Sequence, residues 1–259
     1  MHALGDAPRV VTVSDQAAAS DAAAAHIGTA LTAAVQARGV AHFVTTGGSA
    51  APGIYRSLVA DGRRDAVPWP AVHVWWGDDR FVPRDHPLSN VKPFDDVLRG
   101  AVPLATDHLH PIRTTEAIQD ERDPGWAADA LAADLRAAAL DIAEGLPVLD
   151  LVLLGIGPDG HLLSVFPGSA ALDAPVDQWA LAIPAPSHVE PHVERVTMHP
   201  GIIRVAREAL VVATGESKAA ILADIFSPTR DVRRWPAQLA LHQRVTWIVD
   251  EAAAAALPR

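Results

Sequence analysis

The chain reads as an α/β protein: a doubly wound, mostly parallel sheet with helices on both faces, in a modified Rossmann-like arrangement. Three observations predict it. Apolar runs such as VHVWW and LDLVLL leave little polar face, as expected of strands buried on both sides. These runs alternate with helical segments. Four glycine- or charge-rich segments, TTGGSA, GDDRF, GIGPDGH and ATGESK, each follow such a strand, where ligands collect in sheets of this kind.

The elements follow in order. RVVTVS (residues 9–14) is the first strand, and Ser14 offers an N-cap for an alanine-rich helix over residues 15–38 that Gly39 closes. AHFVTT (41–46) is the second strand; GGS then turns the chain into a helix over APGIYRSLVADG. VHVWWG (72–77) is the third strand. The DDRFVPRDHPLSN segment carries too much charge and proline for a strand or an ordinary helix. Residues 126–143 are predicted helical, LDLVLLGIG is a buried strand, and ALAIPAP and ALVVATG (209–215) are further strands. A helix starts near Glu216, and VTWIVDE ends the set. No repeat or linker interrupts the pattern, so residues 1–259 read as one domain.

Composition narrows the function. Of 259 residues, 49% are apolar and 20% charged, enough for a sizeable core. The net charge is −10, the isoelectric point is near 5.6, and no lysine or arginine run stands out. That argues against a nucleic-acid partner, although an acidic protein can still hold an anion in a local basic pocket. Cysteine is absent, which excludes disulfides, thiolate nucleophiles and cysteine-ligated zinc. The start, MHALGDAPRV, has no apolar targeting region, and no apolar run of about 18 residues occurs. A cytoplasmic protein without membrane contact is expected.

LLGIGPDGH (153–161) fits the dinucleotide fingerprint G-x-G-x-x-G through Gly155, Gly157 and Gly160. That fingerprint needs a helix packed after its third glycine and an acidic residue about 20 positions on. Pro167 and Gly168 come too soon for the helix, and Asp173 and Asp177 lie in loop-like sequence. The glycines read better as a backbone turn that brings Asp159 and His161 to the sheet edge; the plainer alternative is a glycine turn with an exposed histidine. HVEPHVE sets His188 and His192 four apart beside Glu190 and Glu194, a spacing that suits a metal on a helix. Pro191 argues against that helix, so a solvated loop without metal is expected. Seven tryptophans are most simply core and sheet-face residues.

LLGIGPDGH followed by SVFPG resembles the signature of the 6-phosphogluconolactonases. WWGDDRFVPRDHPLSN resembles that family's second signature, usually D-E-R-x-V-P with a later S-N, and TTGGSAAP, RVTMHPGII and GESKAAIL resemble further segments. The resemblance runs in order over residues 10–250. It implies hydrolysis of 6-phospho-D-glucono-1,5-lactone to 6-phosphogluconate in the pentose phosphate pathway, without metal or organic cofactor. The implied fold is similar to that of the sugar-phosphate isomerase/deaminases. Asp79 stands where the family has glutamate, and Leu162 and Leu163 follow His161 where small or hydroxyl residues are usual. The deaminase relatives carry a glutamate soon after D-G-H, where this chain runs SVFPG, and that favours the lactonase branch.

A δ-lactone is an activated ester, so its hydrolysis needs a base for water, donors for the oxyanion and an anchor for the phosphate. With the resemblance, His161 is the candidate base, because imidazole titrates near neutrality. Arg80 is the candidate for polarising the lactone carbonyl or contacting the sugar, with Asp78 orienting Arg80 or the base. Gly47, Gly48 and Ser49, at a strand-to-helix turn, offer free N–H groups and a helix dipole to a phosphate, and Pro52 suits the first helical turn. Lys218 would reach the same phosphate, and Arg195 is a second phosphate candidate. Each has a plainer reading: a surface histidine, a surface Asp–Arg pair, a structural turn or a surface lysine. Two other functions stay open. One is a serine esterase with Ser49 at an elbow like G-x-S-x-G, a pattern that fails at Ala51. The other is a non-catalytic sugar-phosphate sensor, although no output element such as a DNA-reading helix-turn-helix is evident.

Overall fold

The computed structural model describes residues 7–257; most of the MHALGDAPRV start, residues 1–6, lies outside them. The chain runs β1 (Arg9–Val13), α1 (Gln16–Arg38), β2 (Ala41–Thr45), α2 (Ala51–Leu58), β3 (Val72–Trp76), β4 (Asp78–Arg80), α3 (Lys92–Val97), β5 (Leu109–His110), α4 (Thr114–Gln119) and α5 (Pro124–Ala137). It continues through β6 (Ile142–Ala143), β7 (Leu146–Pro147), β8 (Leu151–Leu154), β9 (Ala180–Ile183), β10 (Arg195–Met198), α6 (Ile202–Val205), β11 (Glu208–Ala213), α7 (Ala219–Ile225), β12 (Val245–Asp250) and α8 (Glu251–Ala254).

Local chemistry sets the helix ends. Alanine-rich sequence favours α1, but its cap is Asp15 rather than the expected Ser14. Asp15 Oδ1 accepts from the Ala18 N–H at 2.9 Å, while Ser14 Oγ donates to Asp15. A carboxylate there also meets the positive end of the helix dipole, which a hydroxyl exploits less. Gly39, at φ 78°, ends the helix by donating to the Val35 carbonyl at 2.7 Å. The helix expected to reach residue 143 stops at Ala137. Beyond it, β6 and β7 form a hairpin across Glu144 and Gly145, both at positive φ (53° and 82°). Such a turn matches the twist of paired strands, and it competes successfully with the helix.

Seven strands pair in the order β1-β12-β11-β8-β2-β3-β5, every pairing parallel. Ile248 of β12 borders the same groove as Ala22, Ala25 and Ala30 of α1, whereas Trp247 meets Phe226, at the end of α7, edge-on at 5.0 Å. Successive side chains of a strand point to opposite faces, so α1 and α7 cover opposite sides of the sheet. That is the doubly wound layout. Phe43, Trp75, Trp76 and Trp247 are completely buried in the core, each contributing about 1.5–3 kcal/mol or more by leaving water.

Topology also places a crevice. From β2 the chain steps outward through β3 to β5; from β8 it steps the other way through β11 to β12. The reversal falls between the neighbours β2 and β8, so the loops that follow them diverge at their carboxyl ends. Against the expectation for residues 78–90, Asp78–Arg80 form a strand. β4 pairs antiparallel with β10, which pairs with β9, making a second, three-stranded sheet against which α5 packs. The pairing sets Arg80 opposite Arg195.

Candidate active site

The crevice between β2 and β8 is a cavity of about 220 Å³, and all eight residues predicted from the sequence border it. Each arrives on a different device. Gly47, Gly48 and Ser49 form the turn between β2 and α2. Tyr55 of α2 fixes this turn from below, its hydroxyl donating to the Thr46 carbonyl at 2.7 Å. Gly47 has no alternative as a residue: a Cβ there would fall 2.0 Å from Asn90 Oδ1. Lys218 sits on the turn after β11, which Asp250 ties down by accepting from the Gly215 N–H at 2.9 Å. Its Nζ donates to the Ile156 carbonyl at 2.8 Å. Burial lowers the Lys218 ammonium from its ordinary value, and the Asp159 charge partly offsets this.

His161 is held by Asp159, two residues before it. The Nδ1 of His161 lies 2.5 Å from Asp159 Oδ1, and the His161 backbone N–H donates to the same oxygen at 3.2 Å. Burial alone would raise the Asp159 carboxyl; the hydrogen bonds and charge of His161, with His188, instead hold it well below the usual carboxylate range. An ionised Asp159 accepts the Nδ1 proton, which leaves Nε2 of His161 as a lone pair able to take a proton. Gly157 makes room for the ring. A Cβ there would lie 2.0 Å from both Nδ1 and Cε1 of His161.

The expectation that Asp78 orients Arg80 or the base is not what the geometry shows. Asp78 accepts from Ser164 Oγ at 2.6 Å and from Asn90 Nδ2 at 3.3 Å, and Asp159 takes the orienting place at His161. The organiser of Arg80 is Asn90: Arg80 donates from one terminal nitrogen to Asn90 Oδ1 at 2.9 Å and to the Leu88 carbonyl at 2.8 Å. A short carboxylate on β4 reaches the hydroxyl and amide beside it more easily than a guanidinium that extends into the crevice. Asp79, the departure from the resembled pattern, does not border the crevice. It is completely buried and accepts from the Asn90 N–H at 2.6 Å, the Arg80 N–H at 2.8 Å and Ser89 Oγ at 3.0 Å. Burial pushes its carboxyl up to about 7 against those donors. Leu162 and Leu163 are buried, and only Leu163 reaches the crevice.

Arg195 is buried under the crevice wall, over the face of Phe166 at 5.2 Å. Burial lowers its guanidinium from the ordinary value, while the Asp78 charge opposes the change. The Nε groups of Arg80 and Arg195 are buried and have no acceptor among the described residues, so both cations keep unspent hydrogen-bonding capacity. Asn90 and Ser164 were missed in the sequence, and Asp159 was placed at the sheet edge but given no role. Asp159 was visible in the D-G-H unit, and Asn90 in the S-N pair; Ser164 had no local signal.

Two distractions resolve. No α-helix follows Gly160: a bridge between Leu162 and Val165 closes a tight turn, and the next helical residues are the short turn Ala170–Asp173. The dinucleotide fingerprint therefore lacks its helix. Residues 188–194 form a loop as expected, which extends back to 184 because the strand expected over ALAIPAP ends at Ile183. In it His192 donates to the Pro186 carbonyl at 2.6 Å while His188 turns away towards Asp159.

Residues 14–248 match the family described as Glucosamine-6-phosphate isomerases/6-phosphogluconolactonase. The chain is 32% identical over 257 residues to a 6-phosphogluconolactonase of Streptomyces coelicolor, covering 99% of this chain and 97% of that one. It is 31% identical over 232 residues to one from Mycobacterium tuberculosis, covering 88% and 90%. Among solved structures, a 6-phosphogluconolactonase from Trypanosoma brucei superposes with a TM-score of 0.82 at 25% identity, covering 97% of this chain and 99% of that one. A monomeric glucosamine-6-phosphate deaminase shares the fold at a TM-score of 0.78 and 17% identity, covering 96% and 99%.

Proposed function

The chain belongs to the glucosamine-6-phosphate isomerase/6-phosphogluconolactonase family, and from that premise we infer that it is a lactone hydrolase. It converts 6-phospho-D-glucono-1,5-lactone to 6-phospho-D-gluconate in the oxidative branch of the pentose phosphate pathway. The observation that carries the mechanism is a single one. His161, oriented by Asp159, borders the same crevice as Arg80, Arg195, Lys218 and the Gly47–Gly48–Ser49 turn.

In this reading Nε2 of His161 takes a proton from water as the water oxygen attacks the lactone carbonyl carbon. Arg80 meets the oxyanion that forms, a fixed cation aimed at developing charge. The ring C–O bond then breaks, and the imidazolium returns its proton to the departing ring oxygen. Lys218 and the N–H groups at the start of α2 hold the phosphate, with Arg195 as a further cation beside it. Side chains supply both water activation and oxyanion stabilisation, so the step needs no metal or organic cofactor. The family match over residues 14–248 supports one catalytic domain, and we assign it to the cytoplasm with a small sugar phosphate, not nucleic acid, as its partner.

Removing the base tests the mechanism. His161→Ala should lower kcat by about 10²- to 10⁴-fold in a folded protein, read as proton release from the fresh lactone; near-normal turnover would overturn the assignment. The serine-esterase alternative has weaker support, because the His161 ring bonds to Asp159 and not to Ser49. Ser49→Ala should keep substantial activity, and covalent labelling of Ser49 by a fluorophosphonate would revive that alternative.

A further inference from the structure

The Asp159 carboxylate serves two histidines. Its Oδ1 is engaged by His161, and its Oδ2 lies 2.9 Å from Nε2 of His188. His188 comes from the 184–194 loop, 29 residues further along the chain, so this contact joins two separate crevice walls. Phe166 backs both rings: His161 lies tilted against it at 4.6 Å, and His188 meets its edge at 5.8 Å. Arg195 covers the same phenyl ring. His188 is half-exposed, its side chain at 47%, while those of Asp159 and His161 are at 16% and 14%. The outer histidine is therefore the accessible end of a chain that leads inward to the base.

We propose that His188 is a positioning residue: by donating from Nε2 to Asp159 Oδ2, it fixes the carboxylate that orients His161. The proposal rests on reading His161 as the base. A carboxylate held only through Oδ1 can rotate about its last bond and carry the imidazole with it. One held at both oxygens, by donors from two loops, cannot. The second donor also draws negative charge from Asp159, so the carboxylate stabilises an imidazolium at His161 less strongly.

Other charges around His161 and Asp159 stay constant when His188 is changed. They are Asp78 and Arg80 from β4, Arg195 from β10, Lys218 from the turn after β11, and Glu190 from the loop of His188 itself. A shift on altering His188 therefore reports its hydrogen bond to Asp159 together with any charge on its own ring, and the neutral glutamine variant separates the two.

The test compares wild type, His188→Ala and His188→Gln, since a glutamine amide nitrogen can reach the position of imidazole Nε2. Proton NMR titration follows the His161 ring signal, assigned by its loss in His161→Gln, without any substrate. In His188→Ala the His161 midpoint should rise by about 0.5–1 pH unit, and the acid limb of kcat/KM should move with it. The kcat should fall by about 3- to 10-fold, with KM unchanged, and His188→Gln should return both readouts towards wild type. Unchanged titration and kcat in His188→Ala would overturn the proposal. So would a change in KM alone, or a glutamine variant no better than alanine. Because the NMR readout needs no turnover, a failure of lactone hydrolysis in the wild type is seen separately from a failure here.

Discussion

Gly157→Ala tests whether the imidazole of His161 has to lie against the glycine turn. The added Cβ falls 2.0 Å from both Nδ1 and Cε1 of the ring and 2.8 Å from Asp159 Oδ1. Carbon contacts settle at about 3.5 Å, so the ring must retreat by about 1.5 Å. The Nδ1 to Asp159 contact is only 2.5 Å, and a retreat of that size breaks it and carries Nε2 off its path to water. Misplacing a reacting group by about 1 Å costs on the order of 10²-fold. The expected result is a kcat lower by about 10²-fold or more with KM little changed. The fold should persist, since Gly157 is outside the left-handed region and the obstacle is a side chain. Circular dichroism checks the fold, and proton release from fresh lactone measures kcat. A folded Gly157→Ala enzyme within about threefold of the wild-type kcat would refute the geometry argued for the base.

Two further outcomes are expected. Lys218→Ala should mainly raise KM for the phosphorylated lactone, by roughly 10- to 150-fold for one charge-assisted contact, and barely alter the unphosphorylated one. Arg80→Ala should lower kcat on both lactones; if Lys218 affected both alike, the substrate would lie the other way round. The second outcome concerns stability. Burial, with the charges of neighbouring histidines, lowers His73 and His110 to about 4, while Asp107 opposes this at both and Asp134 at His110. The unfolded chain then binds more protons between about 6.5 and 4, so stability is complete above that window and is lost as pH falls through it. In urea titrations at pH 7.5 and 5.0 the pair should contribute a loss of about 2–4 kcal/mol at the lower pH, against an opposite contribution from Asp79, whose carboxyl is pushed up to about 7. The loss should therefore be smaller in His73→Phe than in wild type, and the same pH dependence in both proteins would contradict it.

The sheet was legible because its central strands are apolar on both faces, and because LDLVLLGIG and AHFVTT end in the glycine turns that flank the crevice. What escaped was set by distant pairing. Asp78–Arg80 carries no strand signal of its own; it becomes a strand only opposite Arg195–Met198, more than a hundred residues on, with Ser89 and Asn90 satisfying its carboxylates. The same separation misdirected Asp78, whose partner Ser164 lies 86 residues away. α5 ends early where Ala139 takes a positive φ of 51°, and the Glu144–Gly145 turn then pairs β6 with β7 in place of further helix. Residues of the crevice were identifiable by type and position, whereas their pairings depended on the tertiary arrangement.

In the proposed mechanism the crevice hydrolyses a phosphorylated lactone, with its phosphate anchored by Lys218 and the α2 turn. Proton release by the wild-type protein, on freshly prepared 6-phosphogluconolactone and on unphosphorylated gluconolactone side by side, measures it most directly. Acceleration well above spontaneous ring opening is expected, with kcat/KM for the phosphorylated lactone higher by roughly 10- to 150-fold or more. No acceleration over buffer, or equal rates on the two lactones, would contradict it.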